Sequence, residues 1–362
     1  MTRAADERYM AAALRLARHH LGQTSTNPTV GCLIVKDDVI LGAAVTAIGG
    51  RPHAETEALA LAGPAARGAA AYVTLEPCSH HGQTPPCAEA LMDAGIARVV
   101  ISLTDPDVRV SGRGIEMLRA AGIPVETGIL EPEGRALLAG YLSRKVNNRP
   151  QVILKLAISA DGAIGRKGEG NWPVTGPLAR RQSHMLRAES DAILIGIGTA
   201  LADDPELTCR LPGLEHRSPH AVVLDRRLDL PHSARLVMAC RSALPRPLTV
   251  VCDPDVDMAA KVALEVAGAH VLPIGTDDLG AILEHLAGEG ISNLIVEGGA
   301  GVAKSFLDAD LVDRLVIISS PVEIGESAIA APIDAKNVPA QFRLVRSEWF
   351  DPDRSDEYER WL

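Results

Sequence analysis

The segment LEPCSHHGQTPPC, residues 75–87, decides how the first part of this chain is interpreted. It connects a strand-like run, AYVTL at 71–75, to a helical run, CAEALMDAG at 87–95. A strand that leads through a loop into a helix is the repeating unit of α/β folds. The loop carries a cysteine near each end, and its prolines at 77, 85 and 86 restrict the backbone.

The same alternation extends to both sides of this segment. Apolar residues at helical spacing predict a helix over 6–20, and HAETEALALAG predicts a second helix that Gly63 ends. GCLIVKDDVILGAAV at 31–45 predicts two strands joined by a turn at 36–38. A further strand is predicted at 98–103, and single helices at 112–122 and 131–146. We therefore expect an α/β layer with a mostly parallel sheet.

A polar junction at Asn147-Asn148-Arg149-Pro150 separates this part from a second α/β unit. The predicted domains are residues 1–147 and 148–362. In the second domain, apolar runs predict strands beginning at Gln151, Asp191, His220, Pro247, Asn293 and Val312. Helical stretches lie between them at 176–187, 257–267 and 279–288.

Composition limits the classes of function. The net charge of −10 argues against a nucleic-acid binder, which needs a basic surface to neutralise phosphates. A small anionic ligand remains compatible, because a few arginines suffice for one phosphate. The N-terminus, MTRAADERYM, has acidic residues where a signal peptide needs an apolar region. No apolar run approaches the ~18 residues of a membrane span, so we expect a cytoplasmic protein without a membrane role.

A zinc site is predicted from four residues. His53, Cys78 and Cys87 supply three ligands, and a catalytic zinc keeps its fourth position for water. Glu55 is then a non-ligand base that carries protons. The alternatives are buried thiols with a core or capping histidine, or a structural zinc completed by His80 or His81.

TNPTVGC at 26–32, PHAE at 52–55 and LEPCSHHGQTPPC together resemble the bifunctional riboflavin-biosynthesis deaminase/reductase family. The resemblance implies a cytidine-deaminase-like N-terminal domain. Its expected reaction is hydrolytic removal of the 2-amino group from 2,5-diamino-6-ribosylamino-4(3H)-pyrimidinone 5′-phosphate. Asn27 matches a family residue that hydrogen-bonds the pyrimidine. Two positions depart from the family pattern, because Thr46 replaces a histidine and Gln83 replaces a basic residue.

VEGGAGVAKS, residues 296–305, runs from a strand through a glycine-rich turn into a helix and is suited to binding phosphate. It differs from a Walker A loop, because Ala303 stands at the last glycine position and the segment lies late in its domain. No GxGxxG motif opens the domain, which disfavours a conventional Rossmann fold.

LKLAISADG at 154–162, GEGNWPVTGP at 168–177, GIGTALADDPELTCR at 196–210 and VEGGAGVAKS resemble the reductase half of the same family. The resemblance implies a dihydrofolate-reductase-like fold and NADPH-dependent reduction of the ribosyl group to ribityl. The matching NADPH contacts are Ala157, Trp172, Thr199, Asp203, Gly299, Ala300, Gly301, Val302, Ala303, Lys304 and Ser305. The matching substrate contacts are Arg187, Leu207, Arg210 and Glu297.

Taken singly, several of these residues have simpler interpretations. Arg187 fits a solvated charge, Trp172 fits core packing and Asp203 fits a turn. Arg226 stands where the family has serine, and it either pairs with the 2′-phosphate of NADPH or points to solvent. The segment around Gly170 and Asn171 is one residue longer than the family form.

Our hypothesis from sequence is a cytoplasmic enzyme of riboflavin biosynthesis, binding zinc and NADPH and acting on a small phosphorylated pyrimidine. The family implies a homodimer formed through the reductase domain. One alternative is a reductase with an impaired deaminase domain, which Thr46 and Gln83 motivate. Two further alternatives are a non-catalytic zinc module and a polynucleotide deaminase. The acidic net charge argues against binding of nucleic acid by either of them. The presence of Glu55 argues against a zinc module without catalysis.

Overall fold

The chain divides into two compact units in the computed structural model, 1–148 and 149–362. The structure describes residues 2–81, 85–107, 110–170, 172–242, 246–333 and 336–361. Gln83 and Asn171 lie outside the described residues. Among the described residues, no helix has the length and apolar character that crossing a membrane requires.

The first unit is a five-stranded sheet in the order β2-β1-β3-β4-β5. Its strands are β1 (Gly31–Lys36), β2 (Val39–Val45), β3 (Ala70–Leu75), β4 (Arg98–Leu103) and β5 (Val125–Thr127). Its helices are α1 (Arg3–Ala17), α2 (Ala54–Ala62), α3 (Cys87–Asp93), α4 (Arg113–Ala120), α5 (Glu131–Leu137) and α6 (Ala139–Val146). β3, β4 and β5 are parallel, whereas β1 is antiparallel to both of its neighbours. Four of the five strands therefore point the same way, as predicted, and β1 alone runs against them.

The sheet of the first unit is covered on both faces. Cys32 and Ile34 of β1 contribute to one apolar cluster, with α2 to α4, and Leu33 and Val35 contribute to the other, with α1. This alternation follows from the two-residue repeat of a strand. α1 lies so close to β1 that a Cβ atom at Gly31 would stand 2.1 Å from the Ala13 carbonyl oxygen. Both faces of the sheet are thus committed to helix packing.

Local backbone angles explain where two pairs of elements are divided. The β1–β2 hairpin turns at Asp37 and Asp38, whose φ angles of 49° and 60° are those of a type I′ turn. The predicted single helix at 131–146 is wrong, because Leu138 interrupts it with φ −97° and ψ 11° and separates α5 from α6.

The second unit contains a nine-stranded sheet in the order β11-β10-β9-β8-β12-β6-β13-β16-β15 and a β14–β7 pair. Its strands are β6 (Gln151–Ile158), β7 (Ala163–Arg166), β8 (Ala192–Gly196), β9 (His220–Leu224), β10 (Leu248–Cys252), β11 (His270–Pro273), β12 (Asn293–Val296), β13 (Arg314–Ser319), β14 (Ala328–Ala330), β15 (Phe342–Phe350) and β16 (Asp353–Arg360). Its helices are α7 (Pro177–Ala188), α8 (Ile197–Asp203), α9 (Arg235–Cys240), α10 (Met258–Val266), α11 (Leu279–Gly288) and α12 (Ala300–Asp308).

The strands from β11 to β13 in this order are parallel, and the β15–β16 hairpin continues the sheet in the antiparallel sense. Apolar side chains cover both faces of the parallel part, which explains its continuous apolar runs. The six apolar strands predicted for this unit are confirmed. The pattern missed the polar strand β16 and its partner β15.

Candidate active sites

Three side chains of the first unit converge where α2 and α3 begin. His53 is the N-cap residue of α2, Cys87 is the first residue of α3, and Cys78 lies in the loop after β3. The His53 Nδ1 atom is 3.3 Å from Cys87 Sγ and 3.7 Å from Cys78 Sγ. Zn–N and Zn–S bond lengths in a tetrahedral site place these atoms roughly 3.6 Å apart. The donor set therefore fits a zinc ion with one position left open.

The electrostatics of this group favour a thiolate. The backbone N–H of Cys87 donates to Cys78 Sγ at 3.2 Å. Hydrogen bonds from Cys87, and then from His53, lower the pKa of the Cys78 thiol to about 4, against the effect of burial. The pKa of Cys87 is raised, because its thiol donates to Cys78 and is buried. A negative charge on the Cys78 sulfur is thus stabilised next to the position that a metal cation would occupy.

Glu55 lies in the first turn of α2 with only 4% of its surface exposed. Its carboxyl is in hydrogen-bond contact with the Cys87 side chain. Burial, and then the negative charge on Cys78, raise the pKa of Glu55 to about 7. A carboxyl group that titrates near neutral pH and stands beside the ligand group is suited to accept and return a proton.

The residues around this group have structural partners. Asn27 Nδ2 donates to the Gly50 carbonyl at 3.2 Å, which fixes the turn that precedes His53. Thr46 is buried, and its hydroxyl accepts from the Val30 N–H at 2.9 Å. Thr46 thus stabilises the chain just after β2. This departure from the expected pattern changes none of the zinc ligands.

Sequence reasoning missed the role of Glu76. Its buried carboxylate accepts four backbone N–H groups, from Asp105, Gly112, Gly114 and Ile115, at 2.9–3.3 Å. These bonds hold the loop after β4 and the start of α4 against the segment that leads to Cys78. The only signal in the sequence was the position of Glu76 at the end of an apolar strand.

We expect Glu76→Gln to lower the free energy of unfolding of the first unit by about 1–3 kcal/mol, because a buried amide satisfies fewer of these donors. Hydrogen exchange of the Gly112, Gly114 and Ile115 amides measures the effect locally. The control is Glu116→Gln on the exposed side of α4, which should leave these amides protected. Equal exchange in Glu76→Gln and the native chain would contradict the assignment.

The second unit carries a cavity of about 1030 Å³ at the carboxyl ends of β6, β8 and β12. Ligands of parallel α/β sheets bind at this edge. Eight residues of the predicted NADPH set line it: Ala157, Trp172, Thr199, Asp203, Gly299, Ala300, Gly301 and Val302. The predicted substrate residues Arg187, Leu207, Arg210 and Glu297 line it as well.

The start of α12 forms a close-packed floor of this cavity. Gly299 caps the helix without a side-chain hydrogen bond, and its N–H donates to Thr199 Oγ1 at 3.0 Å. A Cβ atom at Gly196 or Gly298 would lie 2.7 or 2.9 Å from Val302. Glycines therefore let the turn approach β8, and residues 299–302 at the start of α12 line the cavity. This arrangement fits the phosphates of a dinucleotide.

The structure does not bring the last three residues of the predicted turn to the cavity. Ala303 is fully buried in the core, Lys304 pairs with Asp308, and Ser305 Oγ donates to the Gly301 carbonyl at 3.1 Å. They follow the helix away from the cavity, as a repeat of 3.6 residues per turn requires. Arg226 is likewise absent from the described lining and pairs with Asp253 and Asp277.

A buried charge cluster occupies one wall of the cavity. Arg187 donates to both carboxylate oxygens of Glu297 at 2.8 and 3.0 Å, and Lys155 Nζ lies 3.7 Å from the same carboxylate. Burial tends to raise the pKa of Glu297, but Arg187 and Lys155 lower it to about 2. The sequence prediction missed Lys155, although a lysine inside the apolar strand β6 was a usable signal. Two cations around one carboxylate leave a net positive charge for an anionic ligand.

The zinc ligand group on an α/β sheet defines a zinc-dependent enzyme of the cytidine deaminase type, joined in one chain to a unit whose cavity suits a dinucleotide. Residues 3–103 match the family model for the cytidine and deoxycytidylate deaminase zinc-binding region. Residues 150–354 match the model for the RibD C-terminal domain. The chain belongs to the RibD family of riboflavin biosynthesis proteins.

Relatives match over the full length of the chain. The riboflavin biosynthesis protein RibD of Aquifex aeolicus is 37% identical and is covered to 96%, as is this chain. The solved structure of Acinetobacter baumannii RibD has a TM-score of 0.88 at 35% identity, with 100% of both chains covered. A Thermotoga maritima structure, described as a diaminohydroxyphosphoribosylaminopyrimidine deaminase/5-amino-6-(5-phosphoribosylamino)uracil reductase, has a TM-score of 0.85 at 32% identity, with 99% of both chains covered.

The family confirms the fold class and the two activities predicted from sequence. The chain is a zinc-dependent deaminase and an NADPH-dependent reductase that acts on a small molecule. The alternative of a reductase with an impaired deaminase domain is not favoured, because His53, Cys78 and Cys87 are all in place.

Proposed function

We propose that the two units act in succession on 2,5-diamino-6-ribosylamino-4(3H)-pyrimidinone 5′-phosphate. The first unit removes the 2-amino group by hydrolysis, and the second reduces the ribosyl group to ribityl. The observation that carries this proposal is the convergence of His53 Nδ1 with two thiol sulfurs beside the buried Glu55 carboxyl.

Glu55 is the proton carrier of the deamination. His53, Cys78 and Cys87 would hold the zinc ion, which when bound would supply the Lewis acid that makes water nucleophilic near neutral pH. Glu55 takes a proton from the water that adds to the ring carbon. It then donates a proton to the amino group as the C–N bond breaks and ammonia leaves. Asn27, held by Gly50, is assigned to the pyrimidine edge.

The second unit orients two ligands. NADPH supplies the hydride, and its phosphates are assigned to the start of α12 between Gly299 and Val302. Ala157, Trp172, Thr199 and Asp203 complete the assigned cofactor contacts, and the helix-directed Ala303, Lys304 and Ser305 are assigned only a supporting place. Arg187, Leu207, Arg210 and Glu297 are assigned to the phosphoribosyl group, because arginine forks bind phosphate and a carboxylate accepts from ribose hydroxyls.

The cellular compartment, the oligomeric state and the class of substrate are inferred from the cysteines, an exposed tryptophan and the net charge. We infer a cytoplasmic enzyme, because none of the six cysteines is in a disulfide and two of them belong to the zinc ligand group, as a reducing compartment permits. We propose a homodimer formed through the reductase unit, where the edge strand β15 exposes Trp349. The net charge of −10 supports a small-molecule substrate over a nucleic acid.

The test follows both reactions in one sample. The zinc-loaded protein receives the diaminopyrimidine ribonucleotide and NADPH, and ammonia release and NADPH absorbance are recorded separately. We expect ammonia first and NADPH consumption second. NADPH oxidation with the deaminated substrate, but no ammonia from the diamino substrate, would overturn the proposed first step.

A further inference from the structure

Three metal-ligating side chains of the second unit meet far along the chain from the zinc ligands described above. His270 is the first residue of the edge strand β11, His285 lies in the last turn of α11, and Glu289 follows as its C-cap residue. One potential ligand atom from each lies within 4.8 Å of the other two. The group stands at the amino end of β11, whereas the cofactor cavity lies at the carboxyl ends of its strands.

The distances within this group suit a first-row divalent ion. His285 Nε2 is 3.5 Å and His270 Nδ1 is 3.9 Å from the same Glu289 oxygen, Oε1. Tetrahedral Zn–N and Zn–O bonds set ligand atoms roughly 3.3 Å apart. The side chains are one-third to one-half exposed, so the few tenths of an ångström can be gained by rotation.

The present arrangement leaves one buried polar atom without a hydrogen bond among the described residues. His285 Nε2 is buried and makes no hydrogen bond within the part of the chain that the structure describes. It is aimed at Glu289, and the two imidazole rings stack with their centroids 6.0 Å apart. A buried ring nitrogen without a hydrogen bond is costly, and coordination of a cation would remove that cost.

The surrounding charges favour a cation. The group lies at the C-terminal end of α11, where the macrodipole and the last carbonyl groups attract positive charge. Glu289 adds a full negative charge. The Nε2 atom of the neighbouring His220 is occupied, because it bonds to the Thr249 hydroxyl at 2.9 Å.

We propose that His270, His285 and Glu289 form a second divalent metal site, of the zinc class, that joins β11 to the end of α11. Two imidazoles and a carboxylate are borderline ligands that suit Zn²⁺ better than Ca²⁺ or Mg²⁺. The site is structural, because it lies away from the cavity and ties the edge strand β11 to the end of α11.

Zinc stoichiometry tests the proposal. The full-length holoenzyme is equilibrated with zinc alone, separated from free metal and analysed for zinc and protein. We expect two equivalents for the native chain, one for His270→Asn or His285→Asn, and two for His232→Asn, an exposed histidine of the same unit. Cys87→Ser should remove the zinc ion of the first unit and leave the zinc ion bound by His270, His285 and Glu289. A single equivalent in the native chain, or an unchanged content in both histidine variants, would overturn the proposal.

A second measurement keeps the test independent of zinc loss during separation. Zinc at a hundredfold excess over its Kd should raise the Tm of the second unit by roughly 5–10 °C in the native chain. The shift should be lost in His285→Asn, while NADPH oxidation at low zinc stays unchanged. An equal shift in both proteins would place the effect elsewhere and contradict the assignment.

Discussion

Glu55→Gln is expected to lower ammonia release by about 10²–10⁴-fold, the usual contribution of a positioned proton carrier. Glutamine keeps the size and hydrogen-bonding capacity of the side chain but cannot transfer a proton. The native carboxyl is 4% exposed, in contact with Cys87, and burial raises its pKa to about 7. Because no other carboxyl group is assigned to carry this proton, ammonia release should stay low at every pH at which the protein is folded.

Two controls separate chemistry from structure in this experiment. Zinc content and NADPH oxidation with the deaminated substrate should remain at native levels in Glu55→Gln, because Glu55 is not a ligand in our assignment. Glu57→Gln changes a partly exposed carboxyl in the same turn of α2 and should retain ammonia release. Loss of zinc from Glu55→Gln would make the glutamate a ligand and contradict its assignment as proton carrier.

The zinc ligand group was predictable because its members stand at the ends of regular elements. PHAE opens an apolar helix, and the two cysteines flank a loop between a strand and a helix. When β1, β3 and β4 form one sheet, these ends meet on the same side of it. Their residue types then specify the metal, and no long-range contact has to be known in advance.

Other features could not be predicted, because they depend on partners that are distant in sequence. The segment Asp353–Arg360 is polar throughout, yet it forms β16 beside β13 with Asp353 and Ser355 buried. Its charge is stabilised by pairs such as Arg314–Glu357 at 2.6 Å, which join residues 43 positions apart. Hydrophobic periodicity contains no information about such a strand.

The roles of individual residues also depend on contacts that are distant in sequence. The glycine-rich turn was correctly located, but the direction of α12 decides that Val302 lines the cavity and Ala303 enters the core. The positions of Glu76 and Lys155 in or after apolar strands marked them as unusual, but their roles are set by their partners, which are backbone N–H groups in one case and Glu297 in the other.

Arg187→Met is expected to have the largest effect on the second unit. The guanidinium group is 14% exposed and makes a two-bonded pair with Glu297, whose side chain is 10% exposed. Without Arg187, the buried carboxylate keeps one ion pair within the part of the chain that the structure describes, with Lys155 Nζ at 3.7 Å. Breaking a buried pair by removing one partner costs about 3–5 kcal/mol. We expect the free energy of unfolding of this unit to fall by that amount, and NADPH oxidation to fall while ammonia release persists.

Tryptophan fluorescence measures this change selectively, because all three tryptophans, Trp172, Trp349 and Trp361, lie in the second unit. Arg181→Met is the matched control, since Arg181 is an exposed residue of the same helix. Arg187→Lys should restore little, because an ammonium group cannot make two parallel bonds to a carboxylate. A native midpoint of urea unfolding in Arg187→Met would contradict a stabilising role of the pair.

The pH dependence of the same variant shows whether the effect is electrostatic. The pKa of Glu297 is about 2 in the folded protein, below its ordinary value of 4.5, so the folded state binds this proton more weakly than the unfolded state. The stability that the pair contributes is therefore complete above about pH 4.5 and is lost as the pH falls toward 2. The difference in unfolding free energy between the native chain and Arg187→Met should be largest at neutral pH and should shrink below pH 4.5. A difference that stays constant through this window would contradict an electrostatic role of the pair, because methionine largely retains the methylene packing of Arg187 and only the ionisation of Glu297 changes with pH.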